Sequence, residues 1–225
     1  HTASSAADAF RGALTDRIRR VAEAATTVLP VGGTVATLSS SATVRLLLES
    51  EAAPRGITVL CFESRPMEEG KLLARSLATA RIPVTVAIDA AVCALVPDCD
   101  AVFLGADSIG DAGVVNKIGS AALAAAAKGA GVPVYVLADE TKILPVGFPQ
   151  PTDDDRPGSE VWAAPAGVDV WNRYFEIVPP SLVTGTVTES AILEPAPLEA
   201  LRRGLDFPSG IASWATGRAR QDGEV

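Results

Sequence analysis

The segment ITVLCFESRPMEEGKLLARSLATARIPVTVAID, Ile57–Asp89, reads as one strand, loop, helix and strand. Its first run, Ile57–Phe62, is almost wholly apolar and has no alternating polar face, which is the composition of a strand covered on both sides. The polar loop Glu63-Ser64-Arg65-Pro66 follows. Met67–Ala80 then repeats apolar residues at helical spacing, and Pro83–Ile88 returns to a β-branched run. Strand, crossover helix and parallel strand form the repeating unit of an α/β sheet wrapped by helices.

The same alternation extends outward. Strands are expected at Thr34–Leu38, Ala101–Gly105 and Pro133–Ala138, and helices near Ala42–Ser50, Ala90–Val96 and Asn116–Ala130. Upstream, Phe10, Leu14, Ile18, Val21, Ala25 and Val28 step by three and four, the signature of an amphipathic helix. The expected architecture is α/β: a Rossmann-like doubly wound parallel sheet of five strands, with a short N-terminal helical segment. This gives a helix over residues 1–30, a sheet domain over 31–217 and a frayed tail over 218–225. Within the domain, Ile143–Gly167 loses periodicity among five prolines and reads as a loop. Its acidic run Asp153–Asp155 reads as solvated surface, because adjacent carboxylates diverge instead of converging on a cation. Tyr174–Val178 and Leu182–Val187 read as late strands.

Composition narrows the function. A chain of 225 residues, 48% hydrophobic and 20% charged, is a folded globular domain. Its 19 Lys and Arg against 27 Asp and Glu give a net charge of −8, which excludes a broad phosphate-backbone surface for nucleic acid. The only histidine is His1, which excludes mechanisms built on an internal imidazole. Cys61, Cys93 and Cys99 follow no zinc spacing, so no metal is expected, and no cofactor. The unpaired cysteine count, with no leader in the sequence as read, favours a reducing cytoplasm, and no stretch is apolar enough for a bilayer.

In a doubly wound sheet, ligands sit beyond the carboxyl ends of the strands. There this chain places Ser39-Ser40-Ser41, Glu63-Ser64-Arg65, Asp89, Asp107-Ser108 and Asp139-Glu140. Each taken singly is what a cap or turn would use anyway. Together with Asn116 and Lys117, expected to open a helix, they suggest a small local pocket in which Arg65 and Lys117 hold an anion and Asp107 moves a proton. Cys93, after the third strand, reads as a small buried apolar residue.

Five ordered segments, ESRPMEEG (63–70), IPVTVAIDAAV (82–92), VFLGADSI with GVVNKIGS (102–120), GVPVYVLA (131–138) and VPPSLVTGTVTE (178–189), resemble one family. It is that of the translation initiation factor 2B α/β/δ regulatory subunits, methylthioribose-1-phosphate isomerase and ribose-1,5-bisphosphate isomerase. The resemblance implies a homodimer and a sugar-phosphate or nucleotide pocket. Position by position, it makes Asp107 the catalytic aspartate and Asn116, Lys117 and Arg65 substrate contacts; Ser40, Ser41 and Asp89, placed after the first and third strands, are expected in the same binding set. Where the isomerases carry Thr-His-Cys, this chain has Thr37-Leu38-Ser39, so Ser39 replaces the catalytic cysteine. Asp89 also lacks the family's polar neighbours. Arg11-Gly12-Ala13 echoes a lid tripeptide of the family but lies within a helical pattern. Three readings follow: a sugar-phosphate or nucleotide binder with weak or no turnover, an active aldose-ketose isomerase, or a structural subunit of a larger assembly.

Overall fold

The computed structural model describes residues 3–150 and 155–206; His1, Asp153 and Asp154, and the expected tail lie outside them. The main sheet contains β1 (Thr34–Leu38), β2 (Thr58–Phe62), β3 (Val84–Ala87), β4 (Ala101–Leu104), β7 (Val134–Leu137), β9 (Gly185–Val187) and β10 (Ile192–Leu193). They lie in the order β10-β9-β7-β4-β1-β2-β3, all parallel except β10, which runs antiparallel to β9. The Rossmann-like reading holds, and five parallel strands become six plus an antiparallel edge. A separate antiparallel sheet of β5 (Ser108–Gly110), β6 (Gly113–Lys117) and β8 (Phe175–Val178) was not foreseen.

Period-two alternation divides the core. Val35, Val59, Cys61, Ala101 and Phe103 face one layer, with α1 (Ala3–Ala25), α2 (Ala42–Arg55) and α3 (Glu69–Thr79) packed on it. Ala36, Leu60, Val102 and Leu104 face the other, covered by α4 (Val92–Leu95), α5 (Ser120–Gly129) and α6 (Pro195–Arg203). The N-terminal helix is thus part of the sheet's own core, through buried Val21, Ala22 and Ala25. β3 is the less protected edge, with Val86 and Ile88 exposed beside a single-turn α4.

Three further expectations change. Asn116 and Lys117 end strand β6 instead of opening α5, because β-branched Val114 and Val115 pair with Val178 and Ile177. Gly119 then turns the chain at φ 98°, and the helix begins at Ser120. Cys93 is exposed, since Val92 and Val96 of the same short segment take the inward positions. Leu182–Val187 shortens to β9, with Pro180–Leu182 forming a 3₁₀ turn.

Gly70 marks the tightest junction: a Cβ there would lie 1.9 Å from the Phe62 carbonyl oxygen. G70A should therefore cost roughly 1–3 kcal/mol in urea unfolding, the range for forced overpacking. Gly12, with nothing within 4 Å of its added Cβ in the exposed interior of α1, should instead gain about 0.5–1 kcal/mol as G12A.

Candidate functional site

The strand order runs outward from β1 in one direction to β3 and, after β4, in the other, so the loops leaving β1 and β4 diverge. Such a reversal opens a crevice at the carboxyl edge. A cavity of about 320 Å³ lies there. Ser39, Ser40 and Ser41 enter it from β1, Asp107 from β4, and Asn116 and Lys117 from β6. Leu14 and Ile18 of α1 supply an apolar wall, and Arg17 of the same helix is anchored 2.5 Å from the buried Glu189 carboxylate.

Backbone geometry builds this edge. Ser39 takes the left-handed region at φ 66°, uncommon for a residue with a side chain. Ser41 then caps α2, its hydroxyl accepting from the Val44 amide, and the N-terminal turn of α2 opens onto the cavity. Gly105 lets β4 approach: an added Cβ would stand 2.7 Å from the Ser41 Oγ. By contrast, the N-terminus of α5 is already closed by Glu176, whose carboxylate accepts from Gly119 and Ala121 at 2.7 and 2.8 Å.

The charges are largely spoken for. Lys117, buried, sits 2.5 Å from Glu69 Oε1 and lies over the rings of Tyr174 and Phe175. The other Glu69 oxygen is buried with no hydrogen-bond partner. Lys142 Nζ donates to the Ala106 carbonyl at 2.6 Å, and buried Asp139 accepts from the Thr141 amide at 3.1 Å. Asn116 donates to Ser120 Oγ at 2.9 Å. Asp107 stands at the rim. Loss of solvation pushes its carboxyl above the usual range, against the lowering pull of Lys142 and Lys117.

Two expected site residues lie elsewhere. Asp89 accepts from the Ser64 and Arg65 amides at 2.8 and 2.7 Å, fixing the turn after β2. Arg65 projects away from the cavity, donating to the Val161 carbonyl at 3.0 Å and lying 3.7 Å from Glu68. Glu69 and Lys142 escaped the sequence reading. Glu69 was hidden within an acidic pair on a helix, and Lys142 within the loop after β7, where only position after a strand end could have flagged it. Among the described residues, no cluster of His, Cys, Asp and Glu could hold a metal ion, and no helix is long and apolar enough to cross a membrane.

No thiol lines the cavity. Cys61 lies in the core, its Sγ 3.2 Å from the Gly70 carbonyl, and burial pushes its thiol up to about 12. Cys99, also buried, is pushed up to about 11.

The sequence pattern of the Initiation factor 2 subunit family matches residues 2–195. A methylthioribose-1-phosphate isomerase from Ostreococcus lucimarinus is 36% identical over 163 residues, which is 67% of this chain and 44% of that protein. The chain therefore spans less than half the length of that relative. Translation initiation factor eIF-2B from Pyrococcus horikoshii superposes with a TM-score of 0.75 at 28% identity, over 85% of this chain and 69% of that one. The tetrameric eIF2B-beta2-delta2 complex from C. thermophilum gives 0.67 at 26% identity, over 78% and 56%.

The thiol environments predict reactivity. At pH 8 a group with a pKa near 11 or 12 is thiolate in roughly one part per thousand or less. A disulfide reagent such as DTNB should titrate Cys93 rapidly in the native chain and the other two thiols only on unfolding. Two or more fast native thiols would contradict this burial pattern.

Proposed function

Because the chain belongs to the Initiation factor 2 subunit family, we propose that its carboxyl-edge cavity binds a sugar phosphate or nucleotide and converts it weakly or not at all. The observation that carries this reading is a cavity holding a carboxylate, serines and an amide, but no thiol. Aldose-ketose isomerisation needs one group to take a proton from carbon and another to supply one to oxygen. Asp107, raised by burial, suits the first task. Ser39 is a much poorer acid than a cysteine, whose ordinary pKa is about 8.5.

In this reading the phosphate meets the Ser39–Ser41 hydroxyls and the open N-terminal turn of α2, with Lys117 beside it. Asn116 and Asp107 face the sugar hydroxyls. Arg65 and Asp89 support the site through the turn after β2. Glu69 opposes the phosphate, since it neutralises Lys117 and leaves an unpaired oxygen of like charge. The active-isomerase reading keeps one point in its favour: Asp107 is retained with a raised pKa, as a general base would require.

The cellular setting proposed is a reducing cytoplasm, in keeping with three free cysteines. The assembly proposed is a homodimer. Its proposed contact is the outer face of the β5-β6-β8 sheet, a reading supported by exposed Trp171, which borders a hollow with Val115 and Ile177. Light scattering should find a dimer that W171E shifts toward monomer, whereas a wild-type monomer at working concentration refutes the pairing.

Calorimetry with ribose 1,5-bisphosphate, methylthioribose 1-phosphate and AMP tests the binding. At least one should bind saturably, K117M should weaken it about 10- to 100-fold, the loss of a charge-assisted contact, and E69Q should tighten it at least about threefold. Phosphorus NMR should show little or no ketose from the unmodified chain, and S39C should raise that rate. Rapid conversion by the wild type would favour the isomerase reading; absence of binding by all three ligands would refute both.

A further inference from the structure

A second cavity, of about 220 Å³, lies under α6 and shares no lining residue with the first. Ile109 and Val114 form one wall from the β5-β6 hairpin, Val183 and Leu198 another, and Thr186 of β9 faces in from the main sheet. We propose that this cavity binds a small uncharged molecule with an apolar body and one hydrogen-bonding group, held by the Thr186 hydroxyl.

Three observations converge on that ligand class. The volume is the first. An apolar cavity of about 150 Å³ accepts a benzene ring, so this one has room for a six-membered ring with a substituent. The second is Thr186 itself, only 1% exposed, whose Oγ1 has no hydrogen-bond partner. Its backbone is engaged in the sheet, between β7 and β10, so the hydroxyl alone is left over. A valine would fill the same shape without carrying a buried hydroxyl, so folding gains nothing from the oxygen. An incoming hydroxyl or carbonyl would satisfy it.

The third is the charge at the rim, which is closed on itself. Buried Arg202 donates Nε to the Leu144 carbonyl at 2.9 Å, one Nη to Glu199 at 2.9 Å and the other to Asp111. Asp111 also accepts from the Gly147 amide at 2.9 Å. Every guanidinium nitrogen has a partner, so an anion would find no free cation and would lose its hydration against two carboxylates. A cation would have to break the Arg202 pairs. An uncharged ligand disturbs neither.

Methyl-resolved NMR on the whole chain tests the proposal with cyclohexanol, methylcyclohexane and cyclohexanecarboxylate. Cyclohexanol should shift the methyls of Thr186, Val183 and Leu198 saturably, binding roughly 2- to 12-fold more tightly than methylcyclohexane, the worth of one net hydrogen bond. The carboxylate should not bind. In T186V, which keeps the shape, the preference for cyclohexanol should vanish while methylcyclohexane still binds. No saturable shift at these methyls, equal binding of the carboxylate, or a preference that survives T186V would each overturn it.

Discussion

The divergence of the chain between β1 and β4 is the constraint on which the rest of the carboxyl edge depends. Two adjacent parallel strands, paired at Val35 with Ala101 and Ala36 with Val102, send their following segments to opposite sides. No side chain has to carve the cavity; the topology leaves it. What the sequence must supply is permission for close approach. Gly105 supplies it, because any side chain there would collide with Ser41, the residue that caps α2. The left-handed Ser39 completes the turn, aiming the start of α2 at the space that β4 leaves.

Electrostatics then decides how such a space can be used. In a chain with net charge −8, cations at the edge are scarce and mostly committed. Lys117 is held by Glu69 and by two aromatic rings, and Lys142 by a carbonyl. Taking a charged side chain out of water is costly, and the Glu69 carboxylate and the two rings offset that cost. The same ion pair reduces what the ammonium offers a ligand. Helix α5 makes the point again, since Glu176 already occupies its N-terminus and leaves α2 as the open helix end.

Much of this was legible in the residues. Apolar runs such as Ile57–Phe62 and Ala101–Gly105 announce strands because burial on both faces leaves no polar alternation to confuse the reading. Position after those strands was enough to find Ser39–Ser41 and Asp107. The failures have physical reasons. GVVNK carries an amide and an ammonium that look like helix-opening residues, yet its pairing with β8, more than fifty residues later, makes it a strand. No local signal reports a partner so distant. Arg65 and Asp89 share the carboxyl edge with the cavity residues. Only the three-dimensional path shows that Asp89 spends both oxygens on the turn that carries Arg65 away. Glu69 was invisible for the opposite reason: an acidic residue at a helix start is so ordinary that its pairing with Lys117 leaves no trace in sequence.

Strand periodicity also explains why the edge cannot borrow a thiol from nearby. Cys61 lies on β2, paired in register with Thr37, two residues before Ser39. Side chains alternate strictly along a strand, and Cys61 shares its face with Val59 and with the helices α2 and α3. Reaching the carboxyl edge would require a register slip that turned Leu60 and Phe62 out of the opposite core layer. Nor can the thiol act where it is, because burial holds it protonated far above neutral pH. Cys99 is buried as well, and exposed Cys93 sits on the short helix beyond β3, outside the cavity. None of the three thiols therefore reaches the cavity, and the segment after β1 brings Ser39 to it instead. In the function proposed above, a serine at that position would keep the pocket and the base while weakening the proton donor, so that binding would separate from turnover at a single side chain.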